Sequence, residues 1–407
     1  FMDKSITRQQ AAELLGISTR QVTRLKKGVQ ESGAESLIHK NKGRKPSHAL
    51  NNEMKEGILK IRSQPDLDSS NFLHFKEILA DDYGINISYS SLSSILKNAG
   101  YESPKKKKVR HRTSRRKRKP HPGQLIQIDA TPFEWFGDNI KYALHGAIDD
   151  ATGKIVGLYM TQNECLYGYL ETMRQCCLGF GVPQTIYSDN HTIFRSPKTG
   201  RLTVEELIGG KTVNLTQFGR AMYELGIDMI FARTAQAKGR IERMWDTLQG
   251  RLPVEFARRG IKTVEQANRF LIEEYQSIFN RKFSVEPEKE SIYVPLAPDV
   301  DIDCILCIKH ERMTDNAGTF SFKNRCFQIL DEGFPIISTR KKITVLISPR
   351  IGIKIEYKKR VYDTIRYLKP QKKNASQKVQ KKISHNVSPH LIYGTDKWKN
   401  IWWSEDY

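Results

Sequence analysis

"KYALHGAIDDATGKIVGLYM", residues 141–160, carries two apolar runs, "KYALHGAID" (141–149) and "KIVGLYM" (154–160), separated by a short polar stretch of turn-forming residues. Runs of this length bounded by Asp, Thr and Gly predict two strands joined by a tight connection, hence an antiparallel pair. Within "IDDATGK", Asp149 and Asp150 read as turn residues rather than as a metal site, because Asp side chains bond readily to nearby backbone N–H groups. Upstream, "GQLIQID" (123–129) predicts another strand, so three strands with short connections open the region. Downstream follow a helix near 165–180, a strand "QTIYSD" (184–189), a helix near 216–225, a strand "DMIFA" (228–232) and long helices from about 240. Strands that alternate with helices predict parallel additions to the sheet begun by the antiparallel three.

The chain before this region is helical and basic. Residues 6–27, "ITRQQAAELLGISTRQVTRLKK", predict one helix with Ala11, Leu14 and Leu15 inward and a turn at Gly16. Ser18 then caps a second helix with Val22 and Leu25 inward. This is a helix-turn-helix pattern, and its second helix would present Arg20, Gln21, Arg24 and Lys26 to a major groove. A plain helical hairpin with a solvated face is the alternative; ten Lys or Arg against four Asp or Glu in residues 1–50 favour DNA. The stretch "FKEILADDYGINISYSSLSSILKNAGY" repeats the pattern of helix, Gly turn, Ser cap and helix, with only Lys97 on its second helix. Residues 105–119, "KKKKVRHRTSRRKRK", hold eleven Lys or Arg and no acid, which reads as a solvated tether that can also track phosphates.

After the core, "CILCIKHERM", "GTFSFKNRCFQIL" and "KKITVLISPRIGIKIEYKKRVYDTIRYL" predict the short strands of a small β-barrel. The expected organisation is therefore multidomain α/β: a helix-turn-helix domain (1–48), a second helical domain (49–103), a basic linker (104–120), a catalytic core (121–285), a β-barrel (286–368), and a basic linker with a Trp-rich tail (369–407). The tail reads as a terminal helix packed on its own chain or docked on a partner. Lys+Arg exceed Asp+Glu by 67 to 45, a net charge of +22 that favours polyanionic partners through counterion release. No apolar run approaches the ~20 residues of a membrane span, and "FMDKSITRQQ" lacks the regions of a secretion signal. A cytoplasmic, nucleoid-associated protein of a bacterium or archaeon that contacts no membrane is expected. Of six cysteines, the pair Cys304 and Cys307 has knuckle spacing, but no second pair completes a zinc site, so buried reduced thiols are expected.

The core order β-β-β-α-β-α-β-α is the ribonuclease H-like arrangement, in which the end of the first strand, the end of the fourth and the helix after the fifth converge. Asp129, Asp189 and Glu242 occupy those three points. Gathered carboxylates repel unless a cation neutralises them, and hard oxygen ligands suit Mg2+ or Mn2+. Two such ions would serve an in-line displacement at phosphorus. Lys238, Arg240 and Arg243, which surround Glu242 in "RTAQAKGRIERMWDTLQGRL" (233–252), are then expected on DNA. Each acid alone has an ordinary reading, a strand-end turn for Asp129, an Asx turn for Asp189 in "SDN" and a surface helix start for Glu242; their joint placement outweighs these.

"QIDATPFEWF", "AIDDATGKIVGLYM", "IYSDNHTIFR", "AQAKGRIERMWDTLQGRL" and "GIKTVEQANRFL" resemble the catalytic core of DDE transposases of insertion sequences, specifically the ISNCY family within the retroviral integrase superfamily. The resemblance covers most of residues 121–280. It implies that Asp129, Asp189 and Glu242 are the DDE triad, and that the protein binds the terminal inverted repeats of its element, nicks them and joins the 3′ ends to target DNA as a homo-oligomer on double-stranded DNA. The 52 residues between Asp189 and Glu242 exceed the interval of retroviral integrases, and "SPKTGRLTVEELIGGKTVNLTQ" (196–217) reads as a hairpin or loop inserted near the site. Two other functions share these features: an inactive or domesticated sequence-specific DNA-binding protein on the same scaffold, and a ribonuclease H acting on hybrids. Magnesium-dependent nicking discriminates the first, and the helix-turn-helix disfavours the second.

Overall fold

The computed structural model describes residues 6–38, 50–104, 116–195, 215–232, 238–330, 337 and 340–367. Its contacts divide the chain into one unit of residues 1–68 and 75–102 and another of 69–74 and 103–407. Residues 105–115 of the expected basic linker, 196–214 of the expected insertion (196–217) and the tail (369–407) lie outside the described residues.

In the first unit, α1 (Arg8–Leu15) begins at Thr7, whose hydroxyl accepts from Gln10 N while the Gln10 side chain accepts from Thr7 N, a reciprocal cap. It ends at Gly16, where φ is +64°, a turn that a side chain would strain. Ser18 then caps α2 (Thr19–Ser32). The small core between them is Ala11, Ala12 and Val22. Leu14 and Leu15, expected inward, are exposed instead: two short helices have too little mass to cover both rows of the first. With Leu25, Val29 and Leu37 they line an apolar groove of about 320 Å³. The unit continues through α3 (Asn52–Arg62), α4 (Phe72–Tyr83) and α5 (Tyr89–Asn98), whose Ile58, Phe75, Leu79, Leu92 and Leu96 are fully buried.

The second unit is built on a sheet of β1 (Ile126–Phe133), β2 (Tyr142–Asp149), β3 (Ile155–Thr161), β4 (Thr185–Ser188) and β5 (Asp228–Phe231), in the order β3-β2-β1-β4-β5. The first three pair antiparallel, and β4 and β5 add in parallel beyond β1. Helices cover both faces. α6 (Leu166–Gly179) and α7 (Gln217–Glu224) bury Ile126, Ile128, Ala147, Val156 and Ile186 on one side. On the other, α8 (Gly239–Gln249), α9 (Leu252–Arg258), α10 (Val264–Phe270) and α11 (Gln276–Phe283) bury Leu144, Ile148, Leu158 and Met160. The period of two along β1 therefore sends Ile126, Ile128 and Ala130 to the α6 side, and Gln127, Asp129 and Thr131 to the α8 side.

β3 is an edge strand whose outward backbone groups are closed by carboxamides. Asn280 accepts from Ile155 N (2.7 Å) and donates to its carbonyl (2.9 Å), and Asn268 does the same at Met160 (2.6 and 2.9 Å). Gln175 of α6 bonds Leu158 in like manner. α10 and α11 are one helix interrupted by a π turn over Leu271–Tyr275. Twelve residues of unbroken α-helix would leave Asn268 and Asn280 about 120° apart; the extra residue of the π turn reduces this to about 20°.

Beyond α12 (Ile302–Ile305), the strands β6 (Ile308–Met313), β7 (Thr319–Phe322), β8 (Arg325–Ile329), β9 (Lys342–Ser348), β10 (Gly352–Tyr357) and β11 (Arg360–Tyr367) form a nearly closed, barrel-like sheet in the order β6-β9-β10-β11-β8-β7. Cys304 and Ile305 of "CILC" end a helical turn rather than start a strand, because Asp301 caps that turn by accepting from Asp303 N; Leu306 and Cys307 bend into β6. Cys176, Cys177 and Cys307 are buried thiols as expected, whereas Cys165, Cys304 and Cys326 are only half-buried. Arg350 donates two bonds to the buried Glu171 of α6 (2.6 and 2.7 Å), clamping this sheet to the α/β layers.

Candidate active site

The polar residues of β1 that face α8 meet a matching row at i, i+4 and i+8 of that helix. Gln127 Oε1 accepts from Ile241 N (3.2 Å), Trp245 Nε1 donates to Asp129 Oδ2 (3.2 Å), and Gln249 Nε2 donates to Thr131 Oγ1 (3.1 Å). Polar groups on a buried face require such partners, so the row fixes the register of helix on strand. Asp129 pairs across with Gly146 of β2. A Cβ at Gly146 would lie 2.6 Å from the Trp245 ring and 2.9 Å from Met244, so glycine is what lets the indole reach Asp129.

Asp189 directly follows β4. The parallel register sets Ile126 against Ile186 and Gln127 against Tyr187; continued two residues further, it brings 129 level with 189. Asp189 Oδ1 accepts from His191 N (3.0 Å), the Asx turn foreseen from "SDN". Its other oxygen faces inward. Between the two aspartates stands the ammonium of Lys238, the residue that opens α8: Nζ donates to Asp129 Oδ1 (2.8 Å) and lies 3.5 Å from Asp189 Oδ2. The lysine side chain is 9% exposed, against 21% and 44% for the aspartates.

Glu242 is exposed on α8, one turn beyond Lys238. Among the described residues no three acids, histidines or cysteines are close enough together to hold a metal. The structure thus gathers Asp129 and Asp189 around Lys238, and leaves Glu242 outside that group.

A second carboxylate centre sits behind the first. Asp150, wholly buried, accepts from Arg240 Nε (2.6 Å), Gln127 Nε2 (2.9 Å), Lys119 N (2.8 Å) and the guanidinium of Arg116. Arg118 donates to the carbonyls of Asp150 and Ala151, and burial lowers its pKa. Asp149 accepts from Gly123 N, Thr152 N and Oγ1, and the Tyr293 hydroxyl. The turn reading of this pair is correct and incomplete, since Asp150 also gathers the end of the basic run and the start of α8. Arg240, expected on DNA, is committed to Asp150, and Lys238 to the aspartates; Arg243 is exposed. On α2, Arg20, Gln21 and Arg24 are exposed, whereas Lys26 is half-buried beside the apolar groove.

On the opposite face of the sheet, His145 is buried between a backbone donor and an acceptor: its Nε2 accepts from Cys165 N, so Nδ1 donates to Tyr159 O (3.2 Å). Burial pushes its pKa down to about 4, which fixes it as a neutral structural group. Tyr169 donates to Glu164 (2.6 Å); its pKa is raised first by burial and then by Glu164, Asp129 and Asp189.

Sequence reasoning did not anticipate Trp245, Gln127 and Asp150 as site supports. The alternation 127/129/131 against the helical spacing 241/245/249 carries the signal for the first two; nothing local marks the reach of Asp150 to Arg240.

Residues 2–56 match a family model described as a winged helix-turn helix. Among solved structures, the integrase catalytic core domain of HTLV-2 in complex with magnesium is 17% identical, with a TM-score of 0.29, covering 42% of this chain and 94% of that one. The intasome of simian T-cell lymphotropic virus in complex with a PP2A regulatory subunit is 13% identical, with a TM-score of 0.30, covering 77% of this chain and 100% of that one. A putative transposase, y4bF, of Sinorhizobium fredii is 34% identical over 328 residues, covering 80% of this chain and 69% of the relative. The transposase for insertion sequence IS1202 of Streptococcus pneumoniae is 32% identical over 415 positions, covering 92% of this chain and 87% of the relative. With likeness over nearly the whole length of both proteins, the chain belongs to the insertion-sequence transposase family.

Proposed function

We propose that this chain is a DDE transposase of the ISNCY type, with a ribonuclease H-like core, that cuts the terminal inverted repeats of its element and transfers the exposed ends to target DNA. The observation that carries the reading is the pairing of Asp129 and Asp189 around a single buried cationic group at the mouth of α8. Two carboxylates served by one ammonium retain a negative charge and free oxygen lone pairs, which suits hard divalent cations. The ammonium of Lys238, a cation held by both carboxylates, supports the reading.

Asp129, Asp189 and Glu242 would hold Mg2+ or Mn2+, two ions in the full reading. Ions so held would supply activation of an attacking oxygen and stabilisation of a leaving oxygen at phosphorus. The chain's own groups do the positioning. Trp245 fixes one oxygen of Asp129, the His191 N–H fixes one of Asp189, and Glu242 has to join them by a movement of its exposed side chain. Arg243 would contact DNA backbone at the site, and Arg20, Gln21, Arg24 and Lys26 the terminal repeat, with the chain acting as a homo-oligomer that holds two ends.

Glu242→Gln tests the assignment. Nicking of a duplex carrying the element end should vanish with Mg2+ present while gel-shift affinity for that duplex persists; retained nicking removes Glu242 from the machinery. A binding-only protein would show no nicking in the parent chain either.

A further inference from the structure

We propose that Lys238 is a built-in counter-ion of the Asp129–Asp189 pair, and that its ammonium must leave before divalent cations enter. The inference rests on the reading of these aspartates as metal ligands. Two carboxylates level with each other at the end of a parallel strand pair repel strongly, and burial of the lysine without them would leave a desolvated ammonium. The amine therefore stabilises the metal-free pocket, and the pocket stabilises the amine.

The two cations compete for one place. Nζ lies 2.8 Å from Asp129 Oδ1 and 3.5 Å from Asp189 Oδ2. A metal ion about 2.1 Å from the same two oxygens would fall inside the contact distance of the ammonium. The exit is short, because Lys238 is the cap residue of α8 and carries four flexible methylenes, so a rotamer change suffices and the helix stays in place. The bonds of Ile241, Trp245 and Gln249 to β1 hold α8 independently of the lysine. Metal affinity in this protein is thereby set partly by a side chain that never binds metal.

Mn2+ alone, titrated into the full chain by calorimetry, tests the idea. Lys238→Met should bind Mn2+ at least tenfold more tightly than the parent chain, and equal or weaker binding overturns the proposal. Lys238→Gln serves the same comparison should the methionine variant fail to fold. Displacement is read directly in the unaltered chain by acylating amines and mapping peptides by mass spectrometry. Saturating Mn2+ should raise labelling of Lys238 several-fold while labelling of Lys27, an exposed reference on α2, stays constant. Unchanged labelling of Lys238 at saturation also overturns it. Absence of Mn2+ binding by the parent and Lys238 variants alike sinks the metal reading itself, and this inference with it; binding by the parent that Asp189→Asn abolishes, with no effect of Lys238→Met, sinks the inference alone.

Discussion

Two pairs of aspartates gather near the start of α8, and they are treated in opposite ways. Asp149 and Asp150 are sealed from solvent and satisfied on every side by peptide N–H groups, hydroxyls and two arginines from different segments. Asp129 and Asp189 are partly exposed and share one lysine, whose flexible stem can let go. Arginine forks from separate elements lock a carboxylate into the architecture, whereas a single ammonium leaves it available. The lesson is that an acid's partners, together with its burial, separate a strut from a carboxylate left able to exchange its cation.

The largest expected difference is in activity. Asp129→Asn or Asp189→Asn should reduce strand cleavage roughly a thousandfold or more, at a smaller cost in urea stability than loss of Asp150, because Asn keeps a carbonyl oxygen for Lys238 and the other aspartate keeps its charge. Next is the opposite result at the buried pair: Asp150→Ala strands Arg240 and should lower stability by about 3–5 kcal/mol in denaturant titrations, as loss of one partner of a buried ion pair does. Parity of the two pairs in either measurement breaks the comparison.

A third test uses pH. His145 has a folded pKa near 4 against 6.5 unfolded, so between those values the unfolded chain binds more protons. Stability present above pH 6.5 should therefore be lost as pH falls toward 4, by about 3 kcal/mol from this group. An NMR titration of the ring that finds a pKa near 6.5 removes the effect. Smaller again is Gly146→Ala, which overpacks Trp245 and should cost about 1–3 kcal/mol while loosening the bond to Asp129, visible as a drop in cleavage beyond the loss of folded protein. The smallest is Arg24→Ala on the exposed face of α2: DNA affinity should weaken and its log–log salt slope fall by about one, with stability unchanged. An unaltered slope takes Arg24 off the phosphates.

The strands and helices of the core were legible because their apolar runs are short, bounded and repeated in the right order. β2, β3, β4 and β5 lie where "KYALHGAID", "KIVGLYM", "QTIYSD" and "DMIFA" place them; β1 runs over Ile126–Phe133 rather than 123–129, so Asp129, expected at its end, sits mid-strand because pairing with β2 continues to Phe133. The helix-turn-helix was legible from Gly16 and Ser18 alone, yet the fate of Leu14 and Leu15 was not, since helical spacing says which residues share a face and not whether anything covers it. "CILC" read as strand because apolar composition cannot tell a short strand from a capped helical turn. At the site, the sequence order brings Asp129 and Asp189 together, but charge pattern sent Lys238 and Arg240 to DNA. A basic residue at the start of this helix has two available counter-charges, and only three dimensions reveal that the half-buried Asp129 and Asp189 claim Lys238 and the buried Asp150 claims Arg240.

The carboxamide row on β3 has a consequence for assembly. Asn268, Asn280 and Gln175 imitate a neighbouring strand at Met160, Ile155 and Leu158, which removes those backbone groups from pairing with another chain. A second copy brought alongside therefore meets carboxamides in place of an open ladder at those positions, and sheet-to-sheet fusion along β3 is discouraged within the monomer itself.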